Sequence, residues 1–277
     1  MRFDKLTYTV AEMMGPPQEL TIKPDGEVRY ESHSNNSMPD TPEIGFYQMK
    51  LPPAEVEKLS HSLDNPPFQD LPDHRGRIVA GDRYKRIIIS TGSSTIEKMA
   101  GTTEPIDPGL AKLIGQLDQV VAEVIRHPKR VLRMELSHVA ISDSGTVTMD
   151  FKFSGTGTEV TDCVNPVTLA GGPALSIRGW SYKTHSGFSI DQVFWVDVDK
   201  VTELGKLAED TATSVFIRIA PGQGISFRAT AQLSVTTPEV YLIQLSYQNT
   251  TEHPDGPPVM IGELFSKITK LNIPAMK

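Results

Sequence analysis

The apolar pattern of this 277-residue chain changes near His127-Pro128-Lys129-Arg130, and that change constrains the fold more than any motif does. Before it, strand-like alternation is interrupted by two amphipathic helical stretches. After it, strand follows strand for about a hundred residues, with helical spacing only in short pieces. Two patterns imply two domains, residues 1–130 and 131–277. The class expected is α+β: an N-terminal antiparallel sheet with two helices on one face, followed by a mainly-β, sandwich-like domain. Short helices are expected near 197–209 and 260–271.

In the first half, Leu6, Tyr8 and Val10 alternate. Leu20 and Ile22, then Val28 and Tyr30, flank Pro24-Asp25-Gly26, a hairpin signal in which glycine supplies the positive φ of the turn. Pro52-Pro53 opens a helix whose stripe is Val56, Leu59 and Leu63, and Pro66-Pro67 ends it. Ile87, Ile88 and Ile89 mark a strand. Asp107-Pro108 then reads as an N-cap and a first-turn proline. It leads a helix with Leu110, Leu113, Ile114, Leu117, Val120, Val121, Val124 and Ile125 at spacings of three and four.

The run LTIKPDGEVRYE, the stretch GFYQMKLPPAEVEKLSHSLDNPPFQDLPD, the Ile-rich strand and the last helix resemble a family of small uncharacterised bacterial α+β domains. The resemblance covers about residues 15–127 and lacks that family's Cys-Pro-x-Tyr opening. It implies a hairpin with a DG turn, a helix ending in an aromatic-plus-Leu turn, and a closing helix. It implies no chemistry.

In the second half, Leu132, Met134 and Leu136 alternate, as do Val147, Met149, Phe151 and Phe153. Residues 192–196, QVFWV, are apolar at both parities and read as a central strand. Val198, Val201, Leu204 and Leu207 recur every three residues, the basis of the helix expected at 197–209. Ile261, Leu264, Phe265, Ile268 and Leu271 give the second. Seven or eight strands with short turns suggest two packed antiparallel sheets, with a half-open barrel as the alternative.

No run of residues commits the chain to a reaction. The seven histidines show no i,i+2 or i,i+4 pairing that would suggest a metal site. The lone Cys163 follows Asp162, an acidic setting for a nucleophile. Its glycine pairs match no phosphate loop and no serine occupies a nucleophile elbow. The expectation is therefore no catalytic residues, no metal and no cofactor. One cysteine excludes an internal disulfide and suits a reducing compartment. The opening MRFDKLTYTVAEMMG has no long apolar run. No segment nears the ~20 apolar residues needed to span a bilayer. A cytoplasmic protein is expected.

Charge narrows the partner. The net charge of −7 argues against nucleic acid, which is held by excess Lys and Arg. Residues 191–210 carry six acids (Asp191, Asp197, Asp199, Glu203, Glu209, Asp210) against Lys200 and Lys206, as large an acidic excess as the whole of 131–277. With Phe194 and Trp195 as aromatic anchors, the expected interface is Asp191, Phe194, Trp195, Asp197, Asp199 and Glu203, facing a basic protein. The function expected is a non-catalytic binding protein, in its narrowest form a bacterial immunity protein covering the active site of a basic toxin. A sugar- or small-ligand-binding sandwich using Trp180, Tyr182 and Phe188 is the alternative. A hydrolase with a site at the domain junction is a third.

Overall fold

A computed structural model describes residues 3–12, 16–35, 43–73, 83–92, 94–101, 105–167, 174–182, 192–205, 214–233, 239–250 and 260–273. The chain divides into two compact units: Met1–His33 with Gly45–Lys129, and Ser34–Ile44 with Arg130–Lys277.

The first unit is an antiparallel sheet of β1 (Lys5–Glu12), β2 (Gln18–Ile22), β3 (Glu27–Ser32), β4 (Glu43–Lys50), β5 (Arg83–Thr91) and β6 (Ser94–Gly101). The strand order is β4-β3-β2-β1-β5-β6. Gly26 turns β2 into β3 at φ 86°, where an added Cβ would sit 2.6 Å from the Leu51 carbonyl oxygen. Only glycine tolerates both that φ and that approach. Two helices follow, α1 (Pro53–Asp64) and α2 (Pro108–Val124). Asp107 caps α2 by accepting from the amides of Gly109 (2.8 Å) and Leu110 (3.2 Å). Leu59 and Leu63 of α1, and Leu110, Leu113, Leu117 and Val124 of α2, are buried, as are Leu6, Leu20, Ile22, Val28, Ile87 and Ile89 of the strands. The buried Tyr8 hydroxyl donates to Asp118 of α2 at 2.6 Å, and Lys85 of β5 holds the other carboxylate oxygen at 2.7 Å. This three-residue link fastens α2 to the sheet.

The second unit is a sandwich. One sheet contains β7 (Pro128–Ile141), β8 (Thr146–Gly155), β12 (Lys200–Glu203) and β14 (Gly224–Gln232), in the order β12-β14-β8-β7. The other contains β10 (Ala174–Ser181), β11 (Gln192–Asp197), β15 (Val240–Asn249) and β16 (Gly262–Phe265), in the order β11-β10-β15-β16. A further strand, β17 (Thr269–Asn272), pairs the opposite end of β15. A short ladder of β9 (Thr161–Val164) with β13 (Phe216–Ile219) completes the described strands. Inward residues of both sheets form one core, including Phe151, Phe153 and Phe227 from the first and Ile177, Ile243, Leu245 and Tyr247 from the second.

The α+β expectation does not hold. Strands make up 58% and helices 15% of the described structure, with two α-helices in all among those residues. Both helices expected in the second half are overturned where they are described. In 197–209, Val198 follows the end of β11 and Val201 lies in β12, which pairs β14 (Val201 opposite Ala229). Their spacing of three arises because the chain turns between two strands and buries a valine on each side of the turn. Residues 206–209 lie outside the described residues. In 260–271, Leu264 and Leu271 belong to β16 and β17, while Ile268 between them is exposed. β15 is long enough to accept a separate strand at each end, and that strand–link–strand path imitates a helical stripe. The QVFWV segment lies at an end of its sheet's pairing order rather than in the centre.

Buried protons make this fold sensitive to alkali. Burial, then the bond to Asp118, raises the Tyr8 phenol above its ordinary 10.0. Burial also raises Tyr30 and Tyr247. It raises the Cys163 thiol above 9.0, with neighbouring Asp162 adding to the shift. Each group keeps its proton in the native state, whereas the unfolded chain releases it above its ordinary value. The native state then binds more protons, so stability falls as pH rises. Urea midpoints are expected to hold level up to about pH 8.5 and to drop progressively above pH 9–10, where the unfolded groups titrate. Tyr8→Phe should make the loss shallower. A midpoint that stays level to pH 11 contradicts this account.

Candidate functional site

Alternation along β10 turns Leu175 and Ile177 into the core and Arg178 and Trp180 onto the outer face of the second sheet. β15 does the same with Tyr241, Ile243 and Leu245 inside and Gln244 outside. Antiparallel register places Arg178 opposite Gln244 on one side and opposite Trp195 of β11 on the other.

Arg178 organises this face. Its Nε and Nη2 both donate to Gln244 Oε1, at 2.9 and 2.6 Å. The Gln244 amide nitrogen donates onward to the Ser266 carbonyl. The guanidinium carbon lies 3.9 Å from the centre of the Phe265 ring and 5.3 Å from that of Trp180. Phe265 is itself anchored by a reciprocal pair of bonds with buried Asn35: the Phe265 amide donates to Oδ1 at 2.7 Å, and Nδ2 donates to the Phe265 carbonyl at 2.8 Å. The cation is thus fixed between two aromatic faces by a neutral amide, an arrangement that stiffens a long side chain before any partner arrives.

Around this cluster stand exposed aromatics. Trp195 is 53% and Tyr182 47% exposed, high values for side chains of this size. Lys270 of β17 places Nζ 4.5 Å above the Tyr182 ring. Asp197, exposed and two positions along β11 from Trp195, shares its outward parity.

The structure divides the expected interface. Trp195 and Asp197 lie on the outer face. Phe194 points the other way, 7% exposed, with its ring edge-on to Tyr241 at 5.7 Å and lying across Gly179. Asp199 is exposed but uses Oδ2 to accept from the Gln232 amide at 2.8 Å, which ties the β11–β12 turn to β14. Glu203 belongs to β12 in the other sheet, opposite Phe227. Asp191, and Phe188 of the alternative reading, lie outside the described residues. Sequence reasoning missed Arg178, Gln244 and Phe265. The available signal was a lone glutamine within YLIQLSY, a run otherwise suited to burial on both faces.

Other chemistry-bearing groups are structural. The Cys163 thiol is buried with a raised pKa, the reverse of an activated nucleophile. Asp150 is held below the usual carboxylate range by Arg228, which donates to both oxygens at 2.7 and 2.8 Å. Among the described residues, no group of three or more His, Cys, Asp or Glu is placed to hold a metal ion, and no helix is long and apolar enough to cross a membrane.

No protein-family model and no curated protein matches this chain. Function is therefore argued from the site itself.

The opposite fates of neighbouring residues give a direct test of the face. Phe194→Ala is expected to destabilise the protein by about 3–5 kcal/mol through the cavity over Gly179. Trp195→Ala should shift stability by no more than about 0.5 kcal/mol, as for a surface side chain. Urea unfolding of the two variants decides it, and equal losses would show that Trp195 is packed rather than presented.

Proposed function

We propose that this chain is a non-catalytic binding protein that receives another protein on the outer face of its second sheet. The observation that carries this reading is the exposure of Trp195 and Tyr182 around the immobilised Arg178 cluster. Trp, Tyr and Arg are the residues that dominate binding energy in protein interfaces, above all when held rigid before contact. Asp197 beside Trp195, within an acid-rich stretch of sequence, favours a partner with a basic rim around an apolar pocket for the indole. A toxin whose basic active site is covered by its immunity protein is the narrowest form of this proposal.

The test is a pull-down from the native host at moderate salt, with mass spectrometry of the retained protein. Trp195→Ala is expected to lower affinity by about thirtyfold or more, the equivalent of a hot spot of about 2 kcal/mol. Asp197→Lys should slow association and weaken its salt dependence. Glu203→Lys, on the other sheet, should leave binding unchanged. Retention indifferent to both outer-face changes removes the proposal.

The same exposed rings support a second reading, a carbohydrate held on the sheet face, since that alternative requires Tyr182 and its neighbours to meet solvent. Saturable binding of a soluble oligosaccharide that is lost in Tyr182→Ala would favour it over a protein partner.

A further inference from the structure

Two contacts that hold the Arg178 guanidinium trace to one short segment, Phe265-Ser266. The Phe265 ring lies 3.9 Å from the guanidinium carbon. Gln244, which accepts from Nε and Nη2 of Arg178, donates its own amide to the Ser266 carbonyl. Ser266 is tied to β15 in turn: its amide donates to the Leu245 carbonyl at 2.9 Å, and the Leu245 amide donates to Ser266 Oγ at 3.0 Å. Whatever fixes residues 265–266 therefore fixes Arg178.

Asn35 fixes them from 230 residues away in sequence. It belongs to the second unit, where its neighbour Ser34 bridges Glu263 of β16. Glu263 meets Gln248 of β15 on its other side, so residues 34–35 run along the edge of β16 that faces away from β15. The Phe265 amide and carbonyl need partners on that edge. Asn35 supplies both from one side chain, with Oδ1 accepting at 2.7 Å and Nδ2 donating at 2.8 Å. Its planar amide does what a neighbouring peptide unit would do, and aspartate, which lacks the donor, does only half of it. At 2% exposure Asn35 is itself out of reach of a docking protein.

We propose that Asn35 is a positioning residue of the outer face: it clips Phe265-Ser266 in place and through them orients the Arg178 guanidinium. The use of that orientation in recognition rests on the outer-face reading above, whereas the orientation itself does not. Nuclear magnetic resonance of the full chain reads it as the rate at which the Arg178 Nε–H exchanges with water. Arg178→Lys and Arg228→Lys assign the two resonances needed by removing them. Asn35→Ala is expected to speed exchange at Arg178 by about tenfold, the weight of one hydrogen bond. Phe265→Leu, which keeps the clip and removes the aromatic face, should also speed it. The Arg228 Nε–H, bonded to Asp150 on the other sheet, should keep its native rate in both variants. Asn35→Ser takes the place of Asn35→Ala if that variant fails to fold by circular dichroism. The proposal is overturned if exchange at Arg178 is unchanged in the Asn35 variant or in Phe265→Leu. It is equally overturned if Arg228 accelerates by the same factor, which marks Asn35 as a general support of the fold. The readout needs no partner, so failure here leaves the outer-face reading standing, and an outer face that captures no protein leaves the role of Asn35 standing.

Discussion

The second unit depends on one contact between its sheets. Phe153 of β8 and Tyr247 of β15 meet edge to face with ring centres 4.9 Å apart. Behind Phe153 the rings of Phe151 and Phe227 continue the chain at 5.4 and 5.7 Å. Tyr247 is buried to its hydroxyl, which donates to the Val164 carbonyl at 3.0 Å and so connects the β9–β13 ladder to the core. A phenol in this position adds an oriented tie to an aromatic packing surface. Because side chains alternate along a strand, fixing Tyr247 inward also fixes Tyr241, Ile243 and Leu245 inward and Gln244 outward. The position of Gln244 places Arg178, and with it the organised cation of the outer face. The candidate site is thus a consequence of the core, read through the period of two.

Features set by neighbouring residues were legible in the sequence. Asp25-Gly26 makes the expected hairpin turn, Asp107-Pro108 caps and opens α2, and Leu59 with Leu63 forms the buried stripe of α1. In each case a few consecutive residues contain the physical cause. The second half misled because apolar residues three apart have two physical origins. A helix turn brings such residues to one face, and so does a tight link between two short strands that each bury one residue. Val198 and Val201 belong to the second kind, with Val198 donating its amide to the Leu175 carbonyl at 2.9 Å and Val201 paired to β14. The partners that separate the two origins, Leu175 for Val198 and Ala229 for Val201, lie more than twenty residues away, beyond any local window.

The site shows the same limit. The pairing of Arg178 with Gln244 spans 66 residues, and that of Asn35 with Phe265 spans 230. No spacing rule connects them. Acid content drew attention to 191–210, and the structure retains only part of that signal. Asp197 faces outward, whereas Asp199 acts as a turn acceptor and Glu203 belongs to the opposite sheet. A carboxylate count along a sequence treats these as one surface, although strand alternation and a change of sheet send them in different directions.

The exposure of Trp195 follows from Gly179. An ideal Cβ at Gly179 would overlap the ring of Phe194 at Cζ, so the missing side chain is the space the phenyl ring occupies. Phe194 and Gly179 are register partners, and a shift in register occurs between Gly179 and Trp180. With Phe194 docked across the glycine, its neighbour on the strand is directed to the other face. A one-residue slip of β11 would turn Trp195 inward over a slot sized for a phenyl ring, and would leave Phe194 in water. The glycine therefore selects the register, and the register selects which aromatic meets solvent. A charged residue two positions along, at Asp197, also makes this outermost strand of the pairing order a poor template for indiscriminate strand addition. What β11 offers a partner is accordingly a side-chain surface of one indole and one carboxylate, beside a guanidinium already held in place.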